Sequence, residues 1–203
     1  MRTRVKVCGV TSRDELGAVV GAGVDAVGFV TEVPVETHRK LTREQARDLV
    51  EATPPFVTTV AVTMPEDDEN AAGVARDTGA DAVQLHNGVG VEAAAGHAKV
   101  IERTEFEGPS EEADAVIVDS TDAQGAGGTG ETTDWEAAAE FVDSTDAPVI
   151  LAGGLEPSNV GDAVRAVGPY AVDVSSGVER NEAKDDVLAE SFVREVEDAD
   201  VRR

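Results

Sequence analysis

The sequence predicts an α/β protein whose eight parallel strands close into a (β/α)₈ barrel, the TIM-barrel architecture. Eight short apolar blocks, most of them rich in valine, alternate with helix-like segments along 203 residues. A doubly wound open sheet alternates in the same way. We favour the barrel because the strand count reaches eight and no GxGxxG motif follows the first strand.

The predicted strands are short runs bounded by turn residues. They are VKVC (5–8), AVGFV (26–30), FVTTVAV (56–62), DAVQLH (81–86), KVI (99–101), AVIVD (115–119), PVILA (148–152) and AVDVS (171–175). Helices are predicted over 12–23, 42–52, 134–144, 157–168 and 184–197, with weaker support over 66–79. In the second of these, Thr42 and Gln45 have the spacing of a capping box.

The fifth helix is predicted to be reduced or missing. Residues 102–114, ERTEFEGPSEEAD, carry no apolar stripe between the fifth and sixth strands. No stretch of the sequence has the composition of a linker. We therefore expect residues 1–203 to form a single barrel domain.

The charge is strongly acidic, with 41 Asp and Glu against 17 Lys and Arg and a net charge of −24. Acidic chains that are poor in aromatic residues are often disordered. Here 41% of residues are apolar and fall in periodic blocks, which predicts a packed core. Sparse lysine with abundant carboxylate predicts a protein that works in high salt, where screening removes self-repulsion. Nucleic acid is not expected as a partner, because binding it needs a basic surface.

The expected location is the cytoplasm. No run approaches 18 apolar residues, and the N-terminus lacks the apolar core of a signal peptide. Membrane partners are therefore not expected. Cys8 is the only cysteine, so no internal disulfide can form. No Cys/His spacing indicates a metal site.

The alternation of side chains predicts which residues line the barrel interior. Valines at one parity face the helices, so polar residues at the other parity face inward at the strand ends. The inward residues predicted in this way are Lys6, Cys8, Gln84, His86, Asp119, Asp173 and Ser175. Because the first and eighth strands are neighbours, Lys6 is expected to pair with Asp173.

Glycine-rich loops indicate a phosphate site. GAGGTG (125–130) follows strand six, AGG (152–154) follows strand seven and SSG (175–177) follows strand eight. Glycine lets backbone N–H groups approach an anion closely. The loops after strands seven and eight are the usual phosphate site of this barrel.

Each candidate also has a simpler interpretation. Cys8 could be a small buried hydrophobic residue, His86 a rim histidine without chemistry, and Asp119 a turn residue. Arg39, with its neighbour His38, could be a solvated charge in the loop after strand two, and His97 is expected at the surface. These alternatives stay open on sequence alone.

Seven motifs together resemble the phosphoribosylanthranilate isomerase family of tryptophan biosynthesis. They are KVCGVT (6–11), GVDAVGFV (23–30), VQLH (83–86), IVDS (117–120), GGTGETTDW (127–135), LAGGLEPSNV (151–160) and VDVSSGVE (172–179), and they cover nearly the whole chain. The family converts N-(5-phosphoribosyl)anthranilate to 1-(2-carboxyphenylamino)-1-deoxyribulose 5-phosphate by an Amadori rearrangement, without metal or cofactor.

The resemblance implies roles for individual residues. Cys8 would be the general base and Asp119 the general acid. Arg39 would bind the anthranilate carboxylate, with Asp173 near the ribose. The substrate would also contact His86 at the rim, and the expected phosphate-binding residues are Gly128, Gly154, Ser176 and Gly177. The only partner expected is the small phosphosugar substrate, with the chain a monomer or a homodimer.

The chemistry also predicts protonation states. Arg39 or Lys6 is expected to lower the pKa of the Cys8 thiol towards neutrality, while burial is expected to raise the pKa of Asp119. An acid and a base with pKa values shifted in opposite directions would make a catalytic pair.

Three positions depart from the family pattern. Thr133 replaces an aromatic residue, Asn87 replaces glycine, and His38 stands where proline is frequent.

Two of the three rival functions belong to other phosphosugar barrel enzymes. They are indole-glycerol-phosphate synthase, whose strand-tip lysines and glutamates are missing, and the histidine-pathway isomerases, which would carry aspartate at the first strand tip. The third is a non-catalytic barrel that binds a phosphorylated metabolite.

Overall fold

The computed structural model describes residues 2–119 and 133–201, and they form a closed parallel barrel. Each strand pairs in parallel with the next, and the first pairs with both the second and the last, which excludes an open sheet. The barrel strands are β1 (Arg4–Cys8), β2 (Ala26–Thr31), β3 (Thr58–Thr63), β4 (Ala82–Leu85), β5 (Lys99–Thr104), β6 (Ala115–Val118), β7 (Val149–Leu151) and β8 (Ala171–Val174).

The helices surround the barrel. They are α1 (Arg13–Gly21), α2 (Arg43–Ala52), α3 (Asp68–Thr78), α4 (Val91–Ala95), α5 (Trp135–Ser144), α6 (Val160–Val167) and α7 (Asp186–Val201). Residues 105–114, between β5 and β6, contain no helix, as predicted. The capping box of Thr42 and Gln45 is present. None of the helices in the described ranges is both long and apolar enough to cross a membrane.

Two small elements extend the carboxyl end of the barrel. Lys40–Leu41 form a short strand beside β2. After β8, a 3₁₀ turn at Ser176–Val178 leads into an antiparallel hairpin, in which Glu179–Arg180 pair with Ala183–Lys184. This hairpin was not predicted, and it brings Glu179 and Lys184 next to Arg39.

The core has two layers, as the alternation of side chains predicts. Outward-facing valines such as Val5 and Val172 are buried beneath the helices. The barrel interior is filled by a second cluster of smaller apolar residues: Val60, Val62, Ala82, Ile101, Ile117, Ile150 and Ala171. Cys8 belongs to this inner cluster.

Four predicted element starts, at 56, 66, 157 and 184, lie two or three residues before the observed ones, and two of them have a clear local cause. The third strand begins at Thr58, not at Phe56, because Phe56 has φ +75° and its side chain is fully exposed. The sixth helix begins at Val160 instead of 157. The preceding residues form a turn, in which the Asn159 side chain accepts a hydrogen bond from the Glu156 N–H at 2.9 Å.

A repeated Asp-Ala-Val sequence begins three even-numbered strands, β2, β4 and β6. In each case the aspartate accepts a hydrogen bond from a backbone N–H of the preceding strand. Asp25 binds the Val5 N–H at 2.9 Å, Asp81 the Thr59 N–H at 2.8 Å, and Asp114 the Val100 N–H at 2.9 Å. These carboxylates join neighbouring strands at the amino-terminal end of the barrel.

Replacing Asp25 by alanine should lower the free energy of unfolding by about 1–2 kcal/mol, because the Val5 N–H loses a charged acceptor. Urea unfolding in concentrated KCl measures the loss. Asp146→Ala is the matched control, since Asp146 also precedes a strand but is exposed and has no hydrogen bond to a described residue. Equal effects of the two substitutions would contradict this role for Asp25.

Candidate active site

An open pocket with a cavity volume of about 170 Å³ lies at the carboxyl ends of the barrel strands. Most of the residues that the sequence singled out line it: Cys8, Arg39, His86, Asp119, Gly154, Asp173 and Ser176. Gly177 does not line the pocket but supports its wall. Gly128 lies outside the described residues.

Cys8 ends β1 and is nearly buried, with 8% of its surface exposed. It lies beside Gly28 of β2, its register partner. A Cβ atom on Gly28 would come within 3.1 Å of the Cys8 Sγ and 3.2 Å of the Lys6 Nζ. Glycine at this inward position therefore makes room for the thiol and for the lysine below it.

Lys6 and Asp173 form the predicted ion pair inside the barrel. They are register partners on β1 and β8, and Lys6 Nζ lies 2.9 Å from Asp173 Oδ2. Burial opposes the ammonium, but the charge and hydrogen bond of Asp173 outweigh it and raise the pKa of Lys6. Asp173 Oδ1 is buried and has no hydrogen-bond partner among the described residues. It is available to accept a hydrogen bond from a ligand hydroxyl.

The prediction for the Cys8 thiol is wrong. Burial raises the pKa of Cys8, and the opposing charge of Lys6 does not reverse this effect. Lys6 is already paired with Asp173, and Arg39 is paired with Glu179. Because both cations are already paired with carboxylates, their charges do not outweigh burial, and the thiol is the stable form at neutral pH.

The prediction for Asp119 is confirmed, since burial and the nearby charge of Asp173 raise its pKa to about 7. Burial, together with the charges of Lys6 and Arg103, lowers the pKa of His86 to about 4. The imidazole is therefore neutral near pH 7. Its Nε2 lies 2.6 Å from Gln84 Nε2 and accepts a hydrogen bond from that amide, which leaves the ring proton on Nδ1. The neutral ring brings no positive charge to a ligand.

Arg39 is held at the pocket rim by two contacts. Its side chain packs over Gly9, where a Cβ atom would lie only 2.6 Å from Arg39 Cδ. Its guanidinium donates two hydrogen bonds to Glu179, from Nε at 2.8 Å and from Nη2 at 2.6 Å. Glu179 also accepts a 2.6 Å hydrogen bond from the buried Lys184.

Glu179 and Lys184 were missed by the sequence reasoning. Glu179 does stand in the VDVSSGVE motif, and Lys184 is one of only four lysines. Nothing in the local pattern indicates that the hairpin returns Lys184 to the site. These two signals could have marked the residues as candidates but not their contact with Arg39.

The glycine loops after β7 and β8 pack tightly against each other. Gly153 and Gly154 have φ of +90° and +60°. A Cβ atom on Gly177 would lie 2.0 Å from the Leu155 carbonyl oxygen, so only glycine fits there. Thr133, where the family has an aromatic residue, is buried and donates a 2.7 Å hydrogen bond to the Ala152 carbonyl.

The pocket has two chemically different ends. At one end, the glycine loops contribute residues 152–154 and 175–176 to the lining. At the other, apolar side chains form a wall next to Arg39: Val30, Val33, Val35, Val62 and Met64. The thiol and carboxyl groups belong to strands between these ends. Among residues 2–119 and 133–201, no group of His, Cys, Asp and Glu has the arrangement of a metal site.

The model of the N-(5'-phosphoribosyl)anthranilate (PRA) isomerase family matches residues 5–195. The chain belongs to this family. The motifs of the sequence had indicated it, and the match sets aside the synthase and histidine-pathway alternatives. The members of this family are enzymes that catalyse an isomerisation, so this chain is an isomerase.

Relatives agree over almost the full length. A protein of Haloferax volcanii named N-(5'-phosphoribosyl)anthranilate isomerase is 48% identical, with 94% of this chain and 91% of the relative covered. A crystal structure from Thermotoga maritima superposes with a TM-score of 0.80 at 34% identity, covering 96% and 98% of the two chains. Another structure from that organism is described as monomers of a dimeric protein.

A third solved structure holds a ligand. It is a PRA isomerase in complex with reduced 1-(o-carboxyphenylamino)-1-deoxyribulose 5-phosphate. It superposes with a TM-score of 0.77 at 32% identity and covers 96% of this chain and 98% of its own.

The raised pKa of Asp119 predicts how stability depends on pH. An unfolded aspartate releases its proton near pH 4, whereas folded Asp119 keeps it to about 7. Between these values the unfolded chain gains stability by ionising while the folded protein does not, so the free energy of unfolding should fall as pH rises from about 4 to about 7.

Asp119→Asn should remove that part of the pH dependence, because asparagine does not titrate. Unfolding in urea at several pH values measures both proteins in the same salt. If the wild type and Asp119→Asn differ by a constant amount from pH 4 to 7, Asp119 does not have a raised pKa.

Proposed function

We propose that the pocket binds PRA and isomerises it with Cys8 as general base and Asp119 as general acid. The family makes the chain an isomerase of tryptophan biosynthesis, acting on N-(5'-phosphoribosyl)anthranilate. The observation that carries the proposed roles is the placement of both groups in one pocket, between the glycine loops and the apolar wall beside Arg39.

The first proton transfer would come from Asp119. Its raised pKa of about 7 leaves a large fraction of the carboxyl protonated near neutral pH. Protonation of the ribose ring oxygen breaks its bond to C1, and the lone pair of the anthranilate nitrogen forms the C1=N bond of an open-chain iminium ion. The carboxylate that remains is close enough to Lys6 and Arg103 for their charges to stabilise it.

The second transfer would be to Cys8. The thiolate removes the proton from C2, and the electrons move towards the iminium nitrogen to give an enolamine. That enolamine relaxes to the ketone when C1 gains a proton. A thiolate in a buried site is a strong base because its pKa is raised, although it is then a minor form at neutral pH.

The ends of the pocket suit the two ends of the substrate. The backbone at Gly154 and Ser176 would bind the phosphate without lysine or arginine. The apolar wall would cover the anthranilate ring, and Arg39 would bind its carboxylate. Asp173 Oδ1 would accept a hydrogen bond from a ribose hydroxyl.

Location and assembly are part of the same proposal. We place the enzyme in the cytoplasm, since its only cysteine is the proposed base and needs a reducing compartment. The acidic composition is consistent with work in concentrated salt. The Thermotoga maritima relative is described as dimeric, which leaves both a monomer and a homodimer as forms to measure.

Freshly prepared PRA should lose its anthranilate fluorescence when the wild type is added in concentrated KCl. Cys8→Ser and Asp119→Asn should each lower kcat by roughly 10²–10⁴-fold, because each removes one proton-transfer group. Asp143→Asn, on an exposed residue of α5, is the control for a lost charge and should match the wild type. Turnover by Cys8→Ser at the wild-type rate would refute its role as base.

The pH profile should follow from both pKa values being raised. Asp119 titrates near pH 7, and Cys8 titrates at a higher pH. Between these two pKa values, the fraction of enzyme with Asp119 protonated and Cys8 ionised is small but does not change with pH. We expect kcat/KM to rise with pH to about 7, stay level, and fall only above the ordinary thiol pKa of about 8.5. A fall that begins near pH 7 would contradict these protonation states.

A further inference from the structure

A cluster of three buried or half-buried charges stands at the rim of the pocket beside the apolar wall. The cluster consists of Arg39, Glu179 and Lys184. Glu179 receives two hydrogen bonds from Arg39 and one from Lys184, all between 2.6 and 2.8 Å. The side chain of Lys184 is completely buried, and that of Glu179 is 9% exposed.

One positive charge of this cluster has no partner within it. Two cations share a single carboxylate, so the cluster carries a net charge of +1, and the nearby Glu182 that also acts on Arg39 is exposed to solvent. The contacts from both cations outweigh the effect of burial and lower the pKa of Glu179 to about 2, so it stays ionised. His38 lies 3.6 Å from Glu179 on the exposed side, beyond hydrogen-bond distance.

The geometry of Arg39 leaves one edge of its guanidinium for a ligand. Glu179 occupies the edge made by Nε and Nη2. The other edge, with Nη1 and the second proton of Nη2, donates to none of the described residues and belongs to a side chain that lines the pocket. A planar guanidinium can hold two carboxylates on two edges, provided that a further positive charge compensates the second.

We propose that Glu179 and Lys184 are positioning residues that aim the free edge of Arg39 at the substrate's aromatic carboxylate and balance its charge. This inference rests on the proposed function, in which Arg39 binds that carboxylate. With the ligand bound, two cations would face two carboxylates and the cluster would be neutral. Lys184 is then the counter-charge that allows Arg39 to hold Glu179 and the substrate together.

The test compares two substrates that differ only in the carboxylate. One is PRA, and the other is the adduct of ribose 5-phosphate with aniline, followed by proton NMR. In Glu179→Gln, the KM for PRA should rise tenfold or more with kcat within about threefold, because binding is lost without loss of the acid or base. With the aniline adduct, Glu179→Gln and the wild type should behave alike.

A double-mutant cycle shows whether Glu179 acts through Arg39. In an Arg39→Ala background, Glu179→Gln should raise KM no further. Lys184→Met should also raise the KM for PRA but not for the aniline adduct. Glu190→Gln is the matched control, since it removes the same charge from an exposed position on α7, and it should leave both reactions unchanged.

The possible failures can be told apart. The positioning role is wrong if the wild type converts PRA but Glu179→Gln raises the KM for both substrates equally, or raises it for neither. A wild type that converts neither compound would overturn the proposed function itself. Circular dichroism and thermal unfolding of each variant show whether an altered KM comes from misfolding, and Lys184→Met gives an independent test should Glu179→Gln fail to fold.

Discussion

The buried Lys6–Asp173 ion pair at the floor of the pocket acts, together with burial, on the charge state of the groups above it. Either charge alone would be costly inside the barrel, but as register partners on β1 and β8 they neutralise each other. Burial raises the pKa of Cys8, and Asp173 offsets part of the opposing effect of the Lys6 charge. Burial and the charge of Asp173 raise the pKa of Asp119 to about 7. The pair therefore modifies the protonation of both proposed proton-transfer groups, although burial is the larger cause.

Close backbone approach and a few buried cations let an acidic protein build a site for an anion. Gly28 makes room for the thiol, Gly9 for the stem of Arg39, and Gly177 for the neighbouring loop. Of the four lysines, Lys6 and Lys184 are buried next to the site, while Lys40 and Lys99 are exposed. A chain with net charge −24 therefore keeps half of its lysines where their charge is least screened.

The sequence predicted the strands and the inward-facing residues because both follow from local alternation. Val5 and Val7 must face the helices, so Lys6 and Cys8 must face inward, and the same argument places Asp119 and Asp173. The thiol pKa could not be predicted in this way, since it depends on how deeply the thiol is buried and on which anion each cation binds. Lys6 is a neighbour of Cys8 in sequence, but its charge is neutralised by a residue 167 positions away. The contact of Arg39 with Glu179 likewise depends on a hairpin that returns beside α1, where the Lys184 N–H donates to Glu15.

Trapping the ring-opened imine is the most direct test of the separate roles of Asp119 and Cys8. Each variant is mixed with PRA and cyanoborohydride, which reduces the open-chain imine to a stable amine that chromatography can quantify. Cys8→Ser should form this amine well above the background without enzyme, because Asp119 still opens the ring and no base removes the C2 proton. Asp119→Asn should form no more than the background. Equal trapping by the two variants, or more with Asp119→Asn, would contradict the assignment of Asp119 as the acid that acts first.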